Sequence, residues 1–221
     1  MIRWEGEVES RCEALITEAL MVAPSSPECL QTLASVRISQ LRPDDARAAL
    51  SRSLELWKDL PPEDYRVPDF PVRISLSRLL MEAQMEIDAI EVLERLILED
   101  DESVEAWYLG GWCLYLLAEK GKEQPTFTSS EFPAEKRQAS LVASREWLKQ
   151  SLKLYEKIQY EDERLREHAA ELVQDLNKGL GEDVDEDSNA EDDIDNDDEW
   201  EDEIEGASDK DDEDHEMKDS F

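Results

Sequence analysis

Eight apolar stripes at helical spacing, with prolines falling between them, constrain this chain more than any other feature. Cys12, Ile16, Ala19 and Leu20 form the first stripe. Leu30, Leu33, Ala34 and Leu41 form the second, and Ala46, Ala49, Leu50, Leu54 and Trp57 the third. Val72, Leu76, Leu79 and Leu80 come next, then Ala89, Val92, Leu93, Leu96 and Ile97, then Trp107, Gly111, Leu114 and Leu117. Leu141, Trp147, Leu148, Leu152 and Tyr155 precede the last set, Leu165, Ala169, Leu172 and Leu176. Intervals of three and four residues put each set on one helix face, and no segment alternates as a strand would. Pro24, Pro27, Pro43, Pro61, Pro62, Pro68, Pro71, Pro125 and Pro133 lie between apolar segments, where a missing N–H opens or ends a helix. The reading is all-α, with helices of about 15–20 residues paired antiparallel.

The intervals between stripes say more. Ala19-Leu20 recurs as Ser53-Leu54, 34 residues later. Ala46 with Leu50 recurs as Ala89 with Leu93 after 43 residues, which is 34 plus an insertion of nine around 62–70. The helix bearing Trp107 is expected to start 34 residues after the one bearing Val72. Close helix crossings need small residues, and large ones fill the groove of the next pair. Ala46 and Ala89 suit the first role, and Leu50, Leu93 and Trp107 the second. A helix–turn–helix period of 34 is the tetratricopeptide signature. The chain resembles that family in Ala106-Trp107-Tyr108-Leu109-Gly110-Gly111-Trp112, where a Gly follows a Trp by four residues as in its first-helix motif. Ala19-Leu20-Met21-Val22-Ala23-Pro24 is similar to the proline-closed end of its second helix. The resemblance covers about residues 8–178 and implies a tetratricopeptide-like α-solenoid of antiparallel helix pairs. The first repeat lacks its opening helix, so either Met1 is a true start or an N-terminal part is missing.

Charge divides the chain in two. Residues 182–221 hold 23 Asp or Glu against Lys210 and Lys218, a net −21 out of −34 for the whole. Few apolar residues at that charge density cannot offset ordering entropy, so a disordered acidic tail is expected at 182–221 behind a helical repeat domain at 1–181. Such a tail attracts basic partners. No apolar run reaches the length of a membrane span, and the acid Glu5 stands where a signal peptide has its apolar core, so a soluble intracellular protein is expected. Cys12, Cys29 and Cys113 lie far apart in apolar patterns, which predicts buried, reduced thiols and no metal site. The two histidines, His168 in a charged helix and His215 in the tail, and the lack of a phosphate-cradling glycine loop argue against an enzyme. No cofactor is expected.

One tetratricopeptide subfamily clamps acidic peptide tails with Lys, Arg and Asn on its groove-facing helices. Here that face reads Gln31, Ser35, Ile74, Arg78, Tyr108 and Trp112, in a strongly negative protein that would repel an acidic peptide. The order of elements instead resembles the fungal family of assembly chaperones of large-subunit ribosomal protein four. The matching features are degenerate repeats, an insertion in the last clear repeat, a long final helix and an acidic tail with an embedded Trp200. The resemblance implies a dedicated chaperone that shields a basic ribosomal protein of the large subunit, in cytoplasm and nucleus, until its incorporation into pre-ribosomes. The high negative charge disfavours self-association, so a monomer is expected, with no direct nucleic-acid or membrane contact. A histone chaperone ranks second, because charge alone cannot distinguish basic clients. A scaffold without a basic client ranks third.

Within this frame the candidate client-binding residues are Tyr108, Trp112 and Tyr115, spaced four and three apart on one helix face, with Glu82 and Glu105 on the same inner surface by repeat phase. Aromatic rings beside acids dock Lys and Arg through cation–π and salt contacts; the alternative is packing against a neighbouring helix or the inserted loop. Trp107, offset from that stripe, reads as core. The insertion at 120–138, with Phe127 and Phe132, reads as a flap over an apolar patch. Trp200, Ile194 and Ile204 are candidate docking points in the tail.

Overall fold

The computed structural model describes residues 2–123 and 134–181. Among them are eight helices: α1 (Ile2–Val22), α2 (Pro27–Ser39), α3 (Pro43–Glu55), α4 (Phe70–Glu82), α5 (Glu86–Glu99), α6 (Val104–Glu123), α7 (Ala134–Ile158) and α8 (Glu163–Leu180). No strand occurs in the described residues. Three of the prolines read as boundaries sit in the first turns of α2, α3 and α4, where an N–H would be unpaired in any case. Ser26 caps α2 by accepting the Cys29 N–H, and Asp162 caps α8 by accepting that of Leu165.

Each helix except α3 packs on its successor, and α2, α4, α6 and α8 also pack side by side, making an inner row flanked by the other helices. This is the tetratricopeptide-like arrangement. The periods read from the sequence are present: α4 and α6 begin 34 residues apart, whereas α2 and α4, and likewise α3 and α5, begin 43 apart. The longer interval accommodates residues 56–69, which are pinned in place. The Arg95 guanidinium donates to the Lys58 and Leu60 carbonyls at 3.0 and 2.7 Å and lies 5.5 Å from the Trp57 ring centroid.

Small residues do mark the crossings. Ala46 and Ala89 are completely buried. Serines play the same part where a hydroxyl can reach a neighbouring carbonyl: Ser53 donates to Pro27 O at 3.1 Å, Ser144 to Gly111 O at 2.7 Å and Ser151 to Val104 O at 2.9 Å. Each of these buried hydroxyls is thereby satisfied, at a net worth of about 1 kcal/mol. Gly111 faces Leu148 so closely that an added Cβ would stand 2.7 Å from its Cγ. Leu50, Leu93, Leu96 and Leu148 fill the core without exposure, and each contributes about 2–3 kcal/mol of burial.

Four expectations change. Leu41, placed in an apolar stripe, is 89% exposed, because it follows α2 in a left-handed conformation at φ 57°. Cys12 and Cys29 are only half-buried, whereas Cys113 is buried; α1 and α2 lie at one end of the array and have fewer neighbours. Gln31 and Ile74, assigned to the groove face, are buried between helices instead. Residues 120–123 and 134–138, assigned to the insertion, are helical ends of α6 and α7. Phe127 and Phe132 lie outside the described residues, as does the segment 182–221 with Trp200, Ile194 and Ile204.

Candidate functional site

On the inner row a cavity of about 550 Å³ opens between α4, α6 and the start of α8. Helix α4 presents Arg78, Met81 and Glu82, three and four residues apart and therefore on one face. Helix α6 adds Tyr108 and its neighbour Leu109, then Trp112 and Leu116 at further intervals of three or four. Asp162, Arg164 and Leu165 complete the wall. Their placement follows from the Asp162 cap, which fixes where α8 begins.

The two aromatic rings of the site are held from behind by α8. The Tyr108 hydroxyl shares a 2.7 Å hydrogen bond with His168 Nδ1. The His168 ring also meets the Trp112 ring edge-on, with centroids 5.0 Å apart, and Tyr108 and Trp112 lie 5.9 Å from each other. Burial pushes the Tyr108 phenol up to about 12, with Asp162 adding to the rise and Arg78 opposing it. The phenol therefore stays neutral at physiological pH. It serves as a fixed hydrogen-bonding wall.

Charge is confined to the rim. Arg78 is paired with Glu105. The Glu82 carboxylate is exposed and, among the described residues, has no cationic partner. Asp162 spends one acceptor on its own helix, and Arg164 stands close by. The floor, by contrast, is aliphatic and aromatic. Such a surface can seat a side chain by desolvation while sorting its neighbours by charge.

Of the residues expected at the site, Tyr108, Trp112 and Glu82 line this one cavity, and Glu105 is tied to its edge through Arg78. Tyr115 lies outside the lining and packs partly buried against the core. Trp107, read as core, is packed there: its ring meets Trp147 edge-on at 5.3 Å and its Nε1 donates to Asp101 O at 2.8 Å. The sequence reading missed His168, Met81, Asp162, Arg164 and Leu165. His168 was set aside as a lone histidine in a charged helix, and its partner Tyr108 lies 60 residues away. The one available signal was repeat phase, which assigns α8 to the inner row beside α6.

No metal-binding cluster of three or more His, Cys, Asp or Glu occurs among the described residues. Nor is any described helix long and apolar enough to cross a membrane. No protein-family model matches the chain. It is 70% identical over 222 residues, the whole of its length, to a probable assembly chaperone of rpl4 from Emericella nidulans, of which it covers 57%. A probable assembly chaperone of rpl4 from Schizosaccharomyces pombe is 35% identical over 178 residues, covering 80% of this chain and 51% of that protein. The solved structure of the assembly chaperone of RpL4 (Acl4), residues 1–338, matches at 63% identity and a TM-score of 0.53, over 55% of this chain and 43% of the other. The resemblance to these fungal assembly chaperones of rpl4 thus runs the full length of this chain for one relative and 80% of it for the other, and the chain spans about half the length of the curated relatives it matches.

Proposed function

We propose that this chain is part of a dedicated chaperone that binds the ribosomal protein rpl4 and shields it until it joins pre-ribosomes. The observation that carries this reading is the 70% identity, across the whole chain, to a relative named for that client. Its activity is binding, without catalysis or a cofactor. Free ribosomal proteins present Lys- and Arg-rich surfaces that otherwise bind nucleic acid without specificity. The segment after Gly181, with its net −21, covers such surfaces as a polyanionic arm, and its contacts weaken with salt. The inner row supplies the address through Tyr108, Trp112, Glu82 and Glu105, with Tyr115 beside them. Trp200, Ile194 and Ile204 are docking points within the arm. Linkage of arm and groove raises the effective concentration for the second contact. The protein acts as a monomer, contacts neither nucleic acid nor membrane itself, and accompanies its client from cytoplasm to nucleus.

Affinity purification of the tagged chain with mass spectrometry, with and without the segment after Gly181, tests this reading. Rpl4 as the dominant partner, retained more weakly by the shortened chain, is the expected result. Histones in equal amount would replace rpl4 as the client. The absence of any basic partner from both samples would leave a scaffold.

A further inference from the structure

We infer that the cavity between α4, α6 and α8 seats a single apolar side chain of an extended client segment, with basic residues flanking that side chain in sequence held at the cavity rim. The inference rests on the proposed reading for the client's identity, but its chemistry comes from the cavity alone.

The floor is formed by Met81, Leu109, Trp112, Leu116 and Leu165. Leu109 and Leu165 are 1% and 5% exposed, so the floor is anchored in the core and does not collapse inward. A volume of about 550 Å³ accommodates one large side chain together with the backbone that carries it. A guanidinium driven onto that floor would lose its water against aliphatic carbon without a buried carboxylate to replace it. The carboxylates Glu82 and Asp162 are at the rim, and Arg164 stands beside them and disfavours a cation in the mouth itself. Arg78 is already claimed by Glu105. The arrangement therefore suits an apolar residue inside and a cation a residue or two away, against Glu82.

His168 makes the seat rigid. By bonding Tyr108 and packing edge-on against Trp112, it holds both rings before any client arrives. Prior rigidity lowers the ordering cost of binding. The net −34 draws in a basic segment from a distance, but charge alone does not choose among basic segments. The apolar seat gives binding a component that salt does not screen.

The test is calorimetric titration of the full chain with recombinant rpl4 over a series of salt concentrations, for the wild type, Trp112→Ala, Leu116→Asn and Glu82→Gln. Trp112→Ala and Leu116→Asn are each expected to raise Kd about tenfold or more at every salt concentration, with the slope of log Kd against log salt unchanged. Glu82→Gln is expected to flatten that slope and to matter little at high salt. Unchanged affinity in both cavity variants, or a loss that vanishes at high salt, overturns the inference. Trp112 also packs partly on the core, so a second measurement avoids substitution. Indole NMR shifts of the unaltered chain are followed with N-acetyl-phenylalaninamide, N-acetyl-leucinamide and N-acetyl-argininamide. Larger Trp112 shifts with the apolar amides support the seat; a larger shift with the arginine amide overturns it. If the wild type fails to bind rpl4, the reading of the client falls, and the amide shifts alone decide the chemistry of the cavity.

Discussion

Single residues carry conformational costs that the fold tolerates. Leu41 and Gln84 both adopt left-handed backbone conformations, at φ 57° and 63°, just after α2 and α4. Each sits in a hydrogen-bonded helix stop. Leu41 N–H donates to Ile38 O and Arg42 N–H to Arg37 O, while Gln84 N–H donates to Met81 O and Met85 N–H to Leu80 O. Glycine is the usual occupant of that position, because a Cβ there crowds the following carbonyl. Leu41→Gly should therefore stabilise the protein by about 1 kcal/mol after the loss of chain stiffness in the unfolded state. It also removes an apolar side chain that is 89% exposed. The midpoint of urea unfolding checks this; a decrease would show that Leu41 makes a stabilising contact.

Pairs of elements depend on two kinds of close fit. Gly111 lets α6 lie against α7, and an added Cβ would meet Leu148 Cγ at 2.7 Å and the Leu148 backbone nitrogen at 3.1 Å. The backbone atom cannot rotate away. Gly111→Ala should therefore destabilise by about 1–3 kcal/mol, despite the better helix propensity of alanine. Equilibrium unfolding decides it, and a stabilised variant would mean that α6 and α7 can move apart freely. The second fit is the fork between Arg73 on α4 and Glu99 on α5, with two hydrogen bonds of 2.6 Å. Arg73 is buried, and its guanidinium holds the Glu99 carboxyl below its ordinary value of 4.5. A depressed carboxyl contributes stability that is present above the unfolded value and lost as pH falls through the folded one. Glu99→Ala should cost about 3 kcal/mol near neutral pH, because it leaves a buried cation unpaired. The deficit should shrink as pH drops below 4.5. A deficit that does not change with pH would remove the fork from the account.

At the scale of the whole array, burial differs from end to end, and the three thiols report it. Cys113 is fully buried on α6, donates to Glu86 O at 3.4 Å, and has its thiol pushed up to about 12 by burial. Cys12 and Cys29 are half-buried in α1 and α2. An aromatic disulfide reagent should therefore modify Cys12 and Cys29 in the native protein, and Cys113 only when the middle of the array opens. Thiol release against time checks this, with a single-cysteine variant for each site. Rapid native modification of Cys113 would show that α5 and α6 separate far more often than the core packing implies.

The periodic part of this protein is legible in its residues alone. Apolar stripes at helical spacing, prolines in first turns and small residues at 34- and 43-residue intervals prescribe the eight helices of the described residues and their pairing, because local sterics and repeated crossings are written in neighbouring residues. Ala46 and Ala89 were legible in this way, and so was the approximate site, since Tyr108 and Trp112 lie four apart on one helix. What tertiary structure alone decided is how that site is closed. Leu165 and Asp162 reach the cavity, and His168 bonds a tyrosine 60 residues away, only because α8 returns beside α6. Likewise Ile74 and Gln31 left the expected surface because neighbouring helices cover them, and Leu41 left the core because its backbone turns left-handed at a helix stop. A stripe in the sequence specifies a helix face. Which neighbour covers that face depends on the packing of the whole array, and no local spacing encodes it.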